Sequence, residues 1–171
     1  MEVRSVEAIV RALNAAKVQY LIVGGLAVVA HGYERFTHDV DLVIGLERDN
    51  ISRGLGALMA IGYQMKIPVT PDQFADPLLR ESWRREKDMT VLQLWSDAHH
   101  RTPVDVFVYE PFDFSEEYTL ARREPLAGAD TAPIIRLETL LRMKRAAGRP
   151  QDLADIADLE RLQELKREFP K

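Results

Sequence analysis

GGLAVVAHGYERFTHDVD, residues Gly24 to Asp41, is the stretch whose reading decides the fold. Just before it, Val18–Val23 is an apolar run of strand length. Gly24-Gly25 end that run where a helical pattern over Leu26–His31 begins. A polar loop, Gly32–His38, leads into a second predicted strand, Val40–Ile44, entered through Asp39 and Asp41. Side chains alternate faces along a strand, so Asp39 and Asp41 point the same way with one apolar residue between them. Two carboxylates held side by side repel each other unless a cation sits between them. An all-oxygen donor set at the mouth of a strand suits Mg²⁺, which takes one or two carboxylates together with waters and substrate phosphates. A glycine pair at a strand-to-helix turn lets the backbone approach a ligand closely and aims N–H groups at an anion. The stretch therefore points to a metal ion and a phosphate.

Outward from this centre, Val6, Ile9, Val10 and Leu13 fall at helical spacing and predict a helix over Ser5–Ala16 with Ser5 as its N-cap. Glu47–Gly62 reads as an amphipathic helix weakened by Gly54 and Gly56. Ile67–Asp88 contains three prolines and mixed charge, and predicts loop with one short helix near Asp76–Trp83. Thr90–Trp95 and Val104–Tyr109 read as strands joined by the polar turn Ser96–Pro103. Phe112–Pro133 predicts turns and one short strand. From Ile135 the pattern is helical, broken at Gly148-Arg149-Pro150, where Gly closes one helix and Pro opens the next. The order is a mixed α/β (α+β) head over residues 1–134. A helical segment, residues 135–171, is expected to pack on it as part of one structural domain.

The 171 residues are enough for one well-buried domain. A net charge of −4 gives no global basic footprint for duplex DNA or anionic lipid. Cysteine is absent, which excludes disulfides, thiolate zinc sites and cysteine nucleophiles. The charged, helical start carries no signal-peptide pattern, and no apolar run approaches the roughly 20 residues that span a bilayer. A cytoplasmic protein is expected.

If Asp39 and Asp41 hold metal, a third acid should come from a neighbouring strand. Asp105, a lone acid inside Val104–Val108, is the candidate, because a charge there is costly to bury unless paired or ligated. Three carboxylates around two metal ions suit in-line phosphoryl chemistry. Asp39 and Asp41 would ligate both ions; Asp105 would ligate the catalytic ion and help deprotonate an incoming hydroxyl. Arg35 and Thr37, in the loop just before the Asp39–Asp41 strand, are placed to reach a triphosphate, to steady Asp39 or to face solvent. Lys144 ends the apolar pattern Leu137, Leu140, Leu141; it is either a helix C-terminal cation or a charge for the triphosphate. Asp152 and Asp155 share one face of the last helix, and Asp155 is expected to fix Lys144 or Arg149. Trp83 with Arg80, Arg84 and Arg85 reads as a solvated helix face or as a base-stacking cluster. His31 and His38 read as structural or solvent-facing, and His99-His100 as an exposed turn.

The pattern Gly-Gly, spacer, Asp-x-Asp, then an isolated acid in an apolar strand resembles the nucleotidyltransferase superfamily with the DNA polymerase β-like fold. More narrowly, Gly24-Gly25-Leu26-Ala27, His31-Gly32, Arg35, Thr37 and Asp39-Val40-Asp41-Leu42 are similar to the AbiEii-type nucleotidyltransferases, many of them toxins of toxin–antitoxin pairs. Lys144, Arg149, Asp152 and Asp155 resemble that group's C-terminal motif. The resemblance implies a mixed-sheet nucleotidyltransferase head and a Mg²⁺-dependent transfer of a nucleoside monophosphate from an NTP to an acceptor hydroxyl. It places Asp39, Asp41, Asp105 and Lys144 in catalysis. It places Gly24, Gly25, Arg35, Thr37, Lys144, Arg149 and Asp155 at the nucleotide. The implied acceptor is the 3′ end of tRNA, with an antitoxin as partner; a protein hydroxyl and a small molecule such as an aminoglycoside are the other acceptors. The superfamily often carries Gly-Ser at the turn, its serine hydroxyl contacting phosphate, whereas Gly25 stands there in this chain. A non-catalytic binding or regulatory subunit that keeps the fold, and a metal-dependent phosphohydrolase, are the competing readings.

Overall fold

A computed structural model describes residues 1–126 and 130–169. Eight helices and seven strands are interspersed along the described residues. They are α1 (Val3–Ala15), β1 (Tyr20–Ile22), α2 (Gly24–Ala30), β2 (Val40–Ile44), α3 (Arg48–Ala60), β3 (Gln64–Met65), α4 (Pro71–Ala75) and α5 (Pro77–Lys87). Then come β4 (Val91–Trp95), β5 (Val104–Phe107), α6 (Phe114–Leu120), β6 (Arg122–Leu126), β7 (Asp130–Ile134), α7 (Leu137–Ala147) and α8 (Pro150–Glu168). The strands form one mixed sheet in the order β3-β4-β5-β2-β1-β7-β6. β2 lies parallel to β5 and antiparallel to β1, and β1 runs parallel to β7. This is the expected mixed α/β class.

The central strands are apolar apart from Asp41 and Asp105, because both faces of the sheet are largely covered. Tyr20, Leu21 and Ile22 of β1 and Val40, Leu42, Val43 and Ile44 of β2 are all buried. Val6, Ile9, Val10 and Leu13 of α1 lie in the same core, as helical spacing requires. So do Leu140 and Leu141 of α7 and Ile156 and Leu159 of α8. No described helix is long and apolar enough to cross a membrane.

Several local expectations are corrected. Ser5 is not the N-cap of α1; Glu2 holds that position, and Ser5 is buried within the helix with its Oγ 2.9 Å from His99 Nδ1. The region from Ile67 to Asp88 holds two helices instead of loop with one. Thr70 and Gln73 form a reciprocal capping box for α4, and Asp76 accepts from the Leu78 and Leu79 N–H groups to start α5. The prolines that suggested loop, Pro71 and Pro77, stand in the first turn of these helices, where a missing N–H is harmless. The stretch before α7 contains a helix, α6, and two antiparallel strands, β6 and β7, in place of one strand. Part of that stretch, residues 127–129, lies outside the described residues. β6 ends the sheet, so Pro125 is tolerated there.

Glu117 of α6 fixes the start of α7. It is 2% exposed and accepts from the Arg136 backbone N–H (2.8 Å), the Arg136 guanidinium (2.8 Å from Nη2) and the Thr139 hydroxyl (2.8 Å). Burial works against the Glu117 charge, yet these donors hold its carboxyl below the ordinary range. Glu117→Ala strands these donors and is expected to lower stability by about 2–3 kcal/mol in urea unfolding.

Candidate active site

The register of two strands builds the centre. β2 pairs in parallel with β5 so that Asp41 stands opposite Asp105, between the apolar pairs Val40–Val104 and Leu42–Val106. Asp39, immediately before β2, shares their face. One carboxylate oxygen from each of Asp39, Asp41 and Asp105 lies within 4.8 Å of the others. Burial, then the charges of Asp39 and Asp105, push the Asp41 carboxyl up to about 7; the Gly25 N–H and Arg149 pull weakly the other way. Burial also raises Asp105, aided by Asp39 and opposed by a hydrogen bond from Gln93 and by Lys66. Gln93 of β4 is the strand partner of Asp105 and donates from Nε2 to its Oδ1 at 3.1 Å. A hard, oxygen-only donor set whose members repel one another fits a divalent cation such as Mg²⁺.

The glycine pair sits against these acids. The two glycines form the first turn of α2 rather than preceding it. Gly24 has φ +61°, and a Cβ there would lie 1.8 Å from Asp41 Oδ2. Only a glycine allows this approach. A Cβ at Gly25 would lie 2.4 Å from Thr37 Oγ1 and 3.4 Å from Arg35 Nη2. Thr37 is buried and donates to Asp39 Oδ1 at 3.4 Å.

A chain of alternating charges flanks the acids. Lys144, 5% exposed, donates from Nζ to Asp152 Oδ1 at 3.1 Å and to Asp155 Oδ2 at 2.6 Å. Asp155 Oδ2 also accepts from Arg35 Nη1. Asp152 Oδ2 accepts from Arg149 Nε at 2.7 Å. The Asp152 carboxyl, although burial opposes its charge, is held low by Arg149 and Lys144. Arg149 itself is largely exposed and feels the charges of Asp41 and Asp39.

These two arrays face one cleft of about 980 Å³. Of the residues singled out in the sequence, Gly24, Gly25, Arg35, Asp39, Asp41, Asp105, Lys144, Arg149 and Asp152 line it. Thr37 and Asp155 stand behind its wall. The cleft also has residues that the sequence reading passed over. Phe107 follows Asp105 on the same face of β5, with Val91 of β4 opposite it, and Tyr109 continues that side. Alternation from Asp105 along the strand was the available signal. Arg84 lies over the Tyr109 ring, 4.0 Å from its centroid. Gln93 had no signal beyond its place in a strand. Trp83 and Arg80 correct the stacking-cluster reading: both are buried, and Arg80 Nη1 donates to the Phe74 carbonyl. His31 is structural, its Nε2 2.8 Å from the Ile135 carbonyl oxygen. His99 is half-buried and stacks on Tyr63 at 5.3 Å between centroids rather than lying in an exposed turn.

No family model matches the sequence, and no curated protein matches it. Solved structures do share its fold. The chain is similar to the lincosamide antibiotic adenylyltransferase LnuA, solved with lincomycin bound, at 16% identity and a TM-score of 0.57, covering 92% of this chain and 95% of that one. It is also similar to an antigenic nucleotidyltransferase-like protein from Paracoccidioides brasiliensis, at 20% identity and a TM-score of 0.55, covering 94% of this chain and 76% of that one. The mixed-sheet architecture is thus the nucleotidyltransferase-like fold.

Two outcomes test this geometry. Asp41 titrates at about 7 when folded and near 3.8 when unfolded, so between these values the folded state binds the extra proton. The Asp41 contribution to metal-free stability therefore falls as pH rises from about 4 to about 7 and stays lowered above that. Asp41→Asn removes the penalty and is expected to raise metal-free stability at pH 8 by on the order of 1–3 kcal/mol, with no gain at pH 4. Gly24→Ala forces Asp41 aside and strains the left-handed backbone. It is expected to lower stability by about 1–3 kcal/mol and to weaken Mn²⁺ binding measured by calorimetry.

Proposed function

We propose that the chain is a metal-dependent nucleotidyltransferase that moves a nucleoside monophosphate from an NTP to an acceptor hydroxyl, releasing pyrophosphate. The observation that carries the proposal is the convergence of Asp39, Asp41 and Asp105 from adjacent parallel strands onto one face of the cleft. These three carboxylates would hold Mg²⁺, with room in the donor set for a two-ion arrangement. A metal held by these carboxylates would supply Lewis-acid stabilisation for an in-line displacement. Gly24 and Gly25, whose missing side chains make room for Asp41 and Thr37, line the cleft and would offer backbone N–H groups to the triphosphate. Arg35 and Arg149, with Lys144 behind them, set a positive potential beside the acids that favours a triphosphate. Asp105 accepts the proton of the acceptor hydroxyl as that oxygen bonds to the α-phosphorus.

For the acceptor, the likeness to a lincosamide adenylyltransferase of nearly equal length supports a small hydroxylated molecule. The acidic balance of the chain supports the same choice, because it offers no broad basic surface for a long RNA. The AbiEii-like motif supports the tRNA 3′ end, with the chain as the toxin of a toxin–antitoxin pair, and a protein hydroxyl is the third acceptor class. Persistence of all three acids speaks against a non-catalytic subunit.

Incubation with each labelled NTP, Mg²⁺ and separated RNA, protein and small-molecule fractions of a cell lysate discriminates these acceptors by where the label appears. Asp39→Ala and Asp41→Ala are expected to lower transfer by about 10²-fold or more. A protein that neither transfers label nor binds any Mg²⁺–NTP would sink the enzyme reading. Pyrophosphate replaced by phosphate as the product, without need of an acceptor, would instead establish hydrolysis.

A further inference from the structure

We propose that Lys144 is a positioning residue: its buried ammonium holds Asp152 and Asp155 as fixed hubs to which Arg149 and Arg35 are hinged at the cleft. The inference rests on the nucleotidyltransferase reading for its ligand, the NTP triphosphate, but not for its geometry. Lys144 borders the cleft, yet its Nζ is bonded to Asp152 Oδ1 and Asp155 Oδ2, which are themselves buried. Reaching a triphosphate would require the ammonium to leave two buried carboxylates behind. The two arginines are differently placed. Arg35 Nη2 lies 3.4 Å from where a Cβ at Gly25 would stand, and Arg149 is largely exposed at the start of α8.

The order of charges is Arg149, Asp152, Lys144, Asp155, Arg35, with one lysine between two acids and one arginine outside each. Asp155 Oδ2 is shared by Lys144 and Arg35, so movement of the ammonium alters the seat of Arg35 directly. Arg35 comes from the loop before β2, whereas Arg149 comes from the α7–α8 junction. These segments are far apart in sequence and meet on α8, whose N-cap is Arg149 and whose Asp155 receives Arg35; Lys144 fixes the orientation of the Asp152 and Asp155 carboxylates there. Three cations against two carboxylates leave the array one positive charge in excess, carried at its outer ends where a guanidinium can bind phosphate oxygens in bidentate fashion.

Side-chain NMR of the arginine Nε–H groups, in the full chain without nucleotide, reads the positioning directly. Lys144→Met is expected to loosen both Arg35 and Arg149, whereas Asp155→Asn loosens Arg35 and leaves Arg149 ordered. Calorimetry with Mg²⁺ and each of ATP, CTP, GTP and UTP reads the consequence. Arg35→Ala and Asp155→Asn are each expected to raise Kd about tenfold, and the double variant no further than either alone. Should Lys144→Met not fold, Asp155→Asn, which keeps the Lys144–Asp152 pair, carries both measurements. Ordered arginines in Lys144→Met, or an ordered Arg35 in Asp155→Asn, overturn the proposal. So does wild-type affinity in Asp155→Asn beside a weakened Arg35→Ala, or a double variant weakened about 100-fold. A wild-type chain that binds none of the four nucleotides removes the enzyme reading, while the NMR measurement still decides the role of Lys144.

Discussion

The repulsion among three carboxylates is the constraint on which this architecture depends. It is imposed by the sheet, not by the acids. Val40, Leu42, Val104 and Val106 are all buried, and they lock β2 against β5 in the one register that sets Asp41 opposite Asp105. A slip of one residue would turn every side chain of the slipped strand to the other face and place its aspartate away from the cleft. Hydrophobic packing thus holds together charges that would otherwise separate, and burial first, then the neighbouring charges of Asp39 and Asp105, raises the Asp41 carboxyl.

A second array balances the first. The acids of the sheet face cations delivered largely by α7 and α8, so the negative and positive sides of the cleft come from opposite ends of the chain. Glu117 anchors the cationic side, because it ties α6 to the first turn of α7 through Arg136 and Thr139. Thr139 itself lines the cleft. The C-terminal helices are therefore a wall of the cleft as well as a cover for the core.

The features legible in the sequence are those that obey local rules. The Asp39–Asp41 face came from strand alternation, the lone Asp105 from the cost of burying a charge, and the helix break at Gly148-Arg149-Pro150 from backbone chemistry. Features that depend on tertiary contact were hidden. Pro71 and Pro77 looked like loop residues because a proline that opens a helix and one that ends it differ only in the conformation of the residues after them. Ser5 had the chemistry of a cap, but its position faces inward and its hydroxyl found His99 instead. Arg80 and Trp83 read as surface from composition, yet the fold buries them against α4, where a carbonyl receives the guanidinium. The shared Asp155 oxygen joins residues 120 positions apart, a distance over which no spacing rule operates.

Gly25 and Thr37 occupy what is in effect a single volume. The Thr37 hydroxyl lies where the first side-chain atom of any larger residue at position 25 would have to be. In the superfamily that this chain resembles, a serine hydroxyl often stands at the turn and contacts phosphate. Here the neighbouring loop delivers one, 3.4 Å from Asp39 Oδ1. The two positions should therefore exchange as a pair during divergence: a serine at 25 demands a smaller residue at 37, and a glycine at 25 leaves space for a threonine there.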